Sequence, residues 1–150
     1  MRPSTTTSPL LSLGSLLLSF SPLLPGVSGC TFSIQTSQNK VNFGGSNTVS
    51  CDFYAYTSDS PDLYSDSPDA YAAIKCSGGC ATLNLNEKDW EACIEGIADL
   101  DLSGTATVKQ VGEDASTQTI YPGGQESSRV DDNPLASGRY HFFWVSDVAC

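Results

Sequence analysis

Apolar and polar side chains alternate along most of the chain after residue 29, as they do in β-strands that bury one face. The alternation is strongest in "RYHFFWVSDV" (139–148), whose two faces are both apolar, so this segment is predicted to be a central strand. Gly-rich turns separate the alternating segments. The side chains predicted to share a face are Phe32 with Ile34; Val49 with Cys51 and Phe53; Ala106 with Val108; Tyr140 with Phe142 and Trp144; and His141 with Phe143 and Val145.

One segment, "LNEKDWEACIEGIA" (85–98), has helical spacing instead. Its apolar residues at i, i+3, i+4 and i+7 are Trp90, Cys93, Ile94 and Ile97. Asn86 resembles an N-cap and Gly96 suits a helix end, which predicts a short helix at about 87–95. Many short strands and one helix predict a mainly β fold: a compact, disulfide-stabilised antiparallel β-sandwich or β-barrel with one short helix.

The first 29 residues have the plan of a secretory signal peptide. An interrupted apolar run ends at Leu24, and Val27 and Gly29 stand where a signal peptidase reads small residues before Cys30. The run is short for a membrane span, which needs about 20 largely apolar residues. Two alternatives stay open: a membrane anchor, and a bacterial lipobox "VSGC" that would place a lipid on Cys30. Residues 30–150 are then one secreted domain.

Six cysteines follow the predicted signal peptide: Cys30, Cys51, Cys76, Cys80, Cys93 and Cys150. An even number in this context predicts three disulfides and an oxidising, extracellular compartment. Zinc binding through Cys76 and Cys80 is the alternative, but the sequence lacks a second such pair and has a single histidine. Of the 15 possible connectivities, pairing of strands 47–56 and 70–76 with Tyr56 opposite Tyr71 favours Cys51–Cys76. Cys30–Cys150 and Cys80–Cys93 then complete the set.

Charge excludes two classes of partner. All 17 acidic residues but only six of the seven basic ones follow residue 29, so that part carries a net charge near −11. Because binding to nucleic acids or anionic membranes needs a basic patch, neither is expected, and no membrane span is expected.

The acidic loop at 57–69 contains the pentapeptide Ser-Asp-Ser-Pro-Asp twice, at 58–62 and 65–69. Pro61 and Pro68 forbid a helix and predict two β-turns, at 60–63 and 67–70. Calcium binding is an alternative, but the loop has no Gly for the sharp bend of a calcium loop. The hypothesis favoured by the sequence is an exposed, mobile loop that is dispensable for folding and keeps the surface anionic.

Candidate catalytic residues are few, and no enzyme activity is predicted. His141 lies mid-strand among aromatic residues, without a G-x-S-x-G nucleophile motif in the sequence. Glu87, Glu91 and Glu95 would share a face of the predicted helix, where solvated glutamates are common. No phosphate loop, dinucleotide fingerprint or zinc-protease helix is present, so no cofactor and no metal site is predicted.

Two segments, "CATLNLNEKDWEAC" (80–93) and "DLDLSGTATVKQVGEDA" (99–115), resemble the Alternaria major allergen (Alt a 1-like) family of small secreted fungal β-barrel proteins. The positions that carry the resemblance are Trp90, Cys93, Ser103-Gly104 and Lys109-Gln110. The chain departs from the family in having only Cys150 where a further C-terminal cysteine pair is usual, and in its acidic loop. The resemblance implies a non-enzymatic effector, elicitor or allergen; some relatives bind host defence proteins or small phenolic ligands. No ligand-binding residue transfers by motif.

These observations predict a secreted, non-enzymatic fungal effector, elicitor or allergen-like protein that binds a host extracellular protein or a small molecule. Two alternatives remain. One is a secreted hydrolase with Asp/Glu carboxylates, which would require a concave site with two carboxylates about 5–10 Å apart. The other is a surface protein anchored by a lipid on Cys30.

Overall fold

The structure is a computed structural model that describes residues 29–41, 45, 47–95, 97–98, 101–102, 104–112, 116–121 and 123–150. The predicted signal peptide therefore lies outside the described residues, except for Gly29. Within the described residues the chain forms β-strands and no helix. The strands are β1 (Gly29–Val41), β2 (Thr48–Tyr56), β3 (Ala70–Ile74), β4 (Gly79–Leu85), β5 (Lys88–Ile94), β6 (Ile97–Ala98), β7 (Asp101–Leu102), β8 (Ala106–Gln110), β9 (Thr117–Ile120), β10 (Gln125–Asp132) and β11 (Ala136–Ala149).

The strands form two main antiparallel sheets. A five-stranded sheet has the order β10-β11-β1-β2-β3, and a four-stranded sheet has the order β4-β5-β8-β9. Strands β6 and β7 form a separate pair. Hydrogen bonding does not continue from one main sheet to the other, so the sheet is not closed into a barrel and the barrel alternative is wrong. As predicted, the segment 139–148 lies in a central strand, β11, between β10 and β1.

The core lies between the inner faces of the two main sheets. Phe32 of β1 packs on Trp90 of β5 with ring centroids 4.4 Å apart, and Phe53 of β2 lies beside Phe32. Ile34 and Val108 are likewise fully buried in this cluster. Since burying one such side chain contributes about 1.5–3 kcal/mol, this cluster is the main apolar contribution to the stability of the fold.

The predicted helix at 87–95 is wrong, because this segment belongs to the β4–β5 hairpin. Asn86 and Glu87 have φ angles of 52° and 62° and form the two-residue connection. Positive φ at both central residues matches the twist of paired strands, and asparagine adopts it readily. The residue taken as an N-cap is therefore a hairpin-turn residue.

The apolar period in β5 is two. Trp90, Ala92 and Ile94 are buried, whereas Cys93 points to the other face and lies opposite Cys80. Spacing at i and i+4 is common to a helix face and a strand face, so Trp90 and Ile94 fitted both patterns. Fully buried Ala92, which would lie off the predicted helical stripe, distinguishes them.

The structure contains three disulfides, Cys30–Cys150, Cys51–Cys76 and Cys80–Cys93, which are the pairings favoured by the sequence. The strand register used to argue for Cys51–Cys76 was wrong by two residues. Tyr54, not Tyr56, lies opposite Tyr71, and Cys51 lies opposite Ile74. The bridge instead joins Cys51 to the segment just after β3, where the chain turns into β4.

No helix among the described residues is long and apolar enough to cross a membrane.

Candidate functional site

The outer face of the five-stranded sheet is partly covered by the acidic loop. Thr31 and Ser33 on the outer side of β1 are as fully buried as Phe32 and Ile34 on its inner side. An outer face open to water would leave such small polar residues exposed. The acidic loop connects β2 to β3 and lies across this face.

Tyr64 attaches the acidic loop to the sheet. Its ring meets Phe142 of β11 edge-on with centroids 4.9 Å apart, and its hydroxyl donates a hydrogen bond of 2.9 Å to Ser127 Oγ of β10. The guanidinium carbon of Arg129 lies 6.0 Å from the centre of the Tyr64 ring. One side chain thus links the loop to two neighbouring strands through an aromatic contact, a hydrogen bond and a cation–π contact.

The aspartates of the repeat hold the loop in shape. Asp69 Oδ2 accepts hydrogen bonds from Thr57 N (2.7 Å) and Thr57 Oγ1 (2.8 Å), while Asp69 N donates to the Ala55 carbonyl. These bonds close the two ends of the loop. Within it, Asp66 Oδ2 accepts from Asp62 N at 2.8 Å. The two copies of the repeat therefore have different structural roles.

A helical-type turn begins at Asp62, because the N–H groups of Ser65 and Asp66 both donate to the Asp62 carbonyl. The β-turn predicted at 60–63 is thus displaced by two residues. The backbone donors of Tyr64 and Ser65, with the Ser65 side chain, lower the pKa of the Asp62 carboxyl. The aspartates are exposed, as predicted, and contacts of Tyr64 and Asp69 attach the loop at its centre and its ends. The mobility of the loop and its dispensability for folding stay predictions.

Two cavities lie on either side of Tyr64. The larger, of about 480 Å³, opens between the first half of the loop and the ends of β10 and β11. Its lining includes Thr31, Asp59, Asp62, Trp144, Ser146 and Asp147. The smaller cavity, of about 300 Å³, opens between the second half of the loop and the middle of the sheet. Both volumes fall at or near the lower end of the 300–1,000 Å³ typical of small-molecule sites.

The smaller cavity combines aromatic rings with hydrogen-bonding groups. Its aromatic lining is Tyr54, Tyr56, Tyr64, Tyr140 and Phe142, and its polar lining is Gln35, Asp66, Arg129 and Asp131. Period 2 explains the grouping, because these β-strand residues all project from the outer face of the sheet. The predicted face Tyr140, Phe142 and Trp144 lines the two cavities.

Charges in the smaller cavity partly neutralise one another. Arg129 Nε donates to Asp131 Oδ1 at 2.7 Å, and this hydrogen bond and charge raise the pKa of the guanidinium. Burial, with smaller effects of Tyr54 and of Asp66, raises the pKa of the Tyr56 phenol to about 12. The Tyr56 phenol, like any tyrosine at physiological pH, is a neutral hydroxyl that can both donate and accept a hydrogen bond.

The aromatic surface continues past the smaller cavity. Tyr71 of β3 lies beside Tyr54 with ring centroids 6.4 Å apart, and it is 71% exposed. Tyr71 thus extends the aromatic surface beyond the smaller cavity.

His141, the only histidine, lies outside both cavities. Its ring stacks on Phe143 with centroids 4.1 Å apart, and its Nε2 is 4.0 Å from Glu126 Oε2. No serine hydroxyl or thiol is hydrogen-bonded to this imidazole among the described residues. The structure therefore does not bring His141 together with the partners that a nucleophilic triad needs.

The other sequence candidates are dispersed. Glu91 forms an ion pair of 2.9 Å with Lys109 of β8, while Glu87 is in the hairpin turn, so the glutamate row of the predicted helix does not form. Ligand atoms of Cys80, Glu91 and Cys93 lie within 4.8 Å of one another, but both sulfurs belong to a disulfide. Cys76 and Cys80, the candidate zinc pair, belong to different disulfides.

The sequence did not reveal that the aromatic residues around the smaller cavity form a candidate binding site. The signal was the second apolar face of β11 together with Tyr54 and Tyr56, which alternate with buried Phe53 in β2. That pattern showed that both faces of the sheet are used, but not that one of them is open to a ligand. Comparison of the chain with models of protein families, with curated proteins and with solved structures gives no match.

Proposed function

We propose that the protein is a secreted, non-enzymatic binding protein that holds a host extracellular partner or a small ligand on the outer face of its five-stranded sheet. The observation that carries the proposal is the pair of cavities beside Tyr64, with the exposed ring of Tyr71 at one end. Concave sites lined by aromatic rings and a few polar groups are the usual form of ligand sites. The effector, elicitor or allergen role and the fungal origin rest on the resemblance at Trp90, Cys93 and Lys109-Gln110.

An extracellular location is supported by the three disulfides, which form and persist in oxidising compartments. The lipid-anchor alternative conflicts with the Cys30–Cys150 bridge, because a lipid thioether and a disulfide would need the same sulfur of Cys30. N-terminal sequencing of secreted protein is expected to start at Cys30 or within about two residues of it. A diacylglyceryl group on Cys30 would overturn this part of the proposal.

The carboxylates that line the cavities give the hydrolase alternative less support than the binding function has. Hydrolysis of a glycosidic bond uses a carboxylic acid whose pKa is raised, so that it holds a proton at neutral pH. Burial raises the pKa of Asp52, but this residue lines neither cavity. In the larger cavity, hydrogen bonds shift the pKa of Asp62 in the opposite direction.

The test is a capture experiment with the oxidised, secreted chain and host extracellular fluid. A partner held by the wild type is expected to be lost with Tyr54→Ala, whose ring lines the smaller cavity. Tyr121→Ala is the matched control, since this tyrosine is 54% exposed and lines neither the larger nor the smaller cavity. Capture that is insensitive to Tyr54→Ala would overturn the proposed site, and turnover of a glycoside or peptide substrate would overturn the non-enzymatic role.

A further inference from the structure

We propose that the smaller cavity binds a neutral saccharide, and that Tyr54 and Tyr71 extend the site so that it accepts an oligosaccharide. The inference rests on the proposed binding function and specifies its ligand. It is carried by the combination of a tyrosine hydroxyl in the cavity wall, adjacent donors and acceptors, and a continuous aromatic surface.

The hydroxyl belongs to Tyr56. This residue is only 3% exposed and lines the smaller cavity. A tyrosine hydroxyl at a cavity wall can both donate a hydrogen bond to a ligand and accept one from it. The phenol is neutral at physiological pH, which suits a ligand hydroxyl as partner.

The polar lining offers donors and acceptors side by side. The Arg129 guanidinium only donates, the Asp66 and Asp131 carboxylates only accept, and the Gln35 amide does both. A sugar ring presents neighbouring hydroxyls that each donate and accept, and so can use this whole set.

The charges of the site favour a neutral ligand. A cationic ligand would face Arg129, which already forms the ion pair with Asp131 and lies over the Tyr64 ring. An anionic ligand would face the carboxylates of Asp66 and Asp131, on a chain whose net charge is −10. Either ion would therefore meet a like charge inside the cavity, whereas a polyhydroxylated neutral ligand meets none.

The aromatic surface indicates the expected shape of the ligand. Tyrosine rings offer an apolar face and a polar tip, which matches the apolar C–H face and polar rim of a pyranose ring. The cavity volume of about 300 Å³ lies at the lower end of the volumes of small-molecule sites. Because Tyr54 lies in the cavity wall and Tyr71 lies 6.4 Å away and exposed, further sugar units have a surface to pack on outside it.

The test is binding of the full, oxidised, secreted chain to an array of neutral and charged oligosaccharides, followed by calorimetry on the best neutral probe. Tyr54→Ala is expected to abolish detectable binding. Tyr71→Ala is expected to weaken oligosaccharides but not the shortest probes that bind. Tyr56→Phe keeps the ring and removes the hydroxyl, so about fivefold weaker binding is expected from the loss of one hydrogen bond.

Tyr121→Ala is the control and is expected to bind as the wild type does. Melting curves of each variant separate loss of binding from loss of the fold. The array carries both cell-wall-type oligosaccharides and protein-linked glycans, so the responding set identifies the source of the saccharide.

Binding only to acidic oligosaccharides, or to quaternary ammonium or phenolic probes, would overturn the saccharide assignment. If no oligosaccharide binds but a host protein is still captured in a Tyr54-dependent way after enzymatic deglycosylation, the saccharide inference fails and the binding function stands. If neither binds, both fail.

Discussion

The hydroxyl of Tyr64 donates a hydrogen bond of 2.9 Å to Ser127 Oγ, a residue 63 positions away in the sequence. Together with the edge-on contact on Phe142, this bond places the centre of the acidic loop on the outer face of the sheet. Tyr64 lines both cavities, so the position of this one side chain divides the surface into two binding spaces.

Replacing Tyr64 is expected to release the loop without unfolding the sheets. Tyr64→Ala removes the ring contact and the hydrogen bond, a loss of about 1–2 kcal/mol that should raise the cleavage rate within 57–69 by roughly tenfold. The cleavage rate is measured with endoproteinase Asp-N, which cuts before aspartate. Tyr64→Phe should have a smaller effect and Tyr71→Ala none. An unchanged rate for Tyr64→Ala would show that the loop is held by other contacts.

The two copies of the repeat provide an internal control for the role of its aspartates. Asp66 accepts a hydrogen bond from Asp62 N, whereas its counterpart Asp59 makes no side-chain hydrogen bond to a described residue. Asp66→Ala is therefore expected to speed amide hydrogen exchange at Asp62 by roughly threefold to tenfold, and Asp59→Ala to leave it unchanged. NMR measurement of the amide exchange rate of Asp62 in both variants tests this expectation. Equal effects of both substitutions would mean that general charge, not the specific bond, orders the loop.

The hairpin turn offers a stabilising substitution. Glu87 has a φ of 62°, a conformation that costs a residue with a side chain about 1 kcal/mol and costs glycine nothing comparable. Glu87→Gly is expected to raise the melting temperature by about 4 °C. The control Glu95→Gly, just after β5, should lower it, because this position is not among those with positive φ. A lower melting temperature for Glu87→Gly would contradict the turn geometry.

Alkaline pH should weaken the fold through Tyr56. Its pKa is about 12 in the folded protein against 10.0 for the free side chain, because burial opposes ionisation. The folded state thus retains the proton more tightly, so the stabilisation is complete below pH 10 and is lost as the pH rises towards 12. Urea unfolding soon after pH adjustment should show this loss in the wild type and a flatter profile in Tyr56→Phe. Tyr121→Phe is the control; an identical profile for Tyr56→Phe would refute the assignment.

Strands β1, β2, β3 and β11 of the five-stranded sheet were predictable from their alternating patterns. Strand β10 was not predicted, because its side chains are nearly all polar and exposed. Phe143 faces the core and Phe142 the opposite side, as the sequence of β11 predicted. Local alternation of this kind depends only on the pleat of the strand. The register of β2 and β3 was not fixed by it, since a shift of two residues keeps every side chain on the same face.

The β4–β5 hairpin was mispredicted for a local reason. Its connection is only the two residues Asn86 and Glu87, without the glycine that commonly marks such a turn, so nothing interrupted the apparent helical spacing of Trp90 and Ile94. The candidate site was beyond local reasoning, because the loop residue Tyr64 meets strands that lie more than 60 positions later in the sequence.

The Cys30–Cys150 bridge spans 120 positions and makes that stretch of chain a covalent ring, and Cys51–Cys76 makes a second ring that contains the acidic loop. A single cut of the backbone inside the loop therefore releases no fragment. Both new ends stay tethered beside the sheet, and the protein keeps its mass on a non-reducing gel apart from one added water. Where proteases are abundant, such a cut would turn the loop that lies across the outer face of the sheet into two free chain ends. The rest of the molecule would stay in one piece.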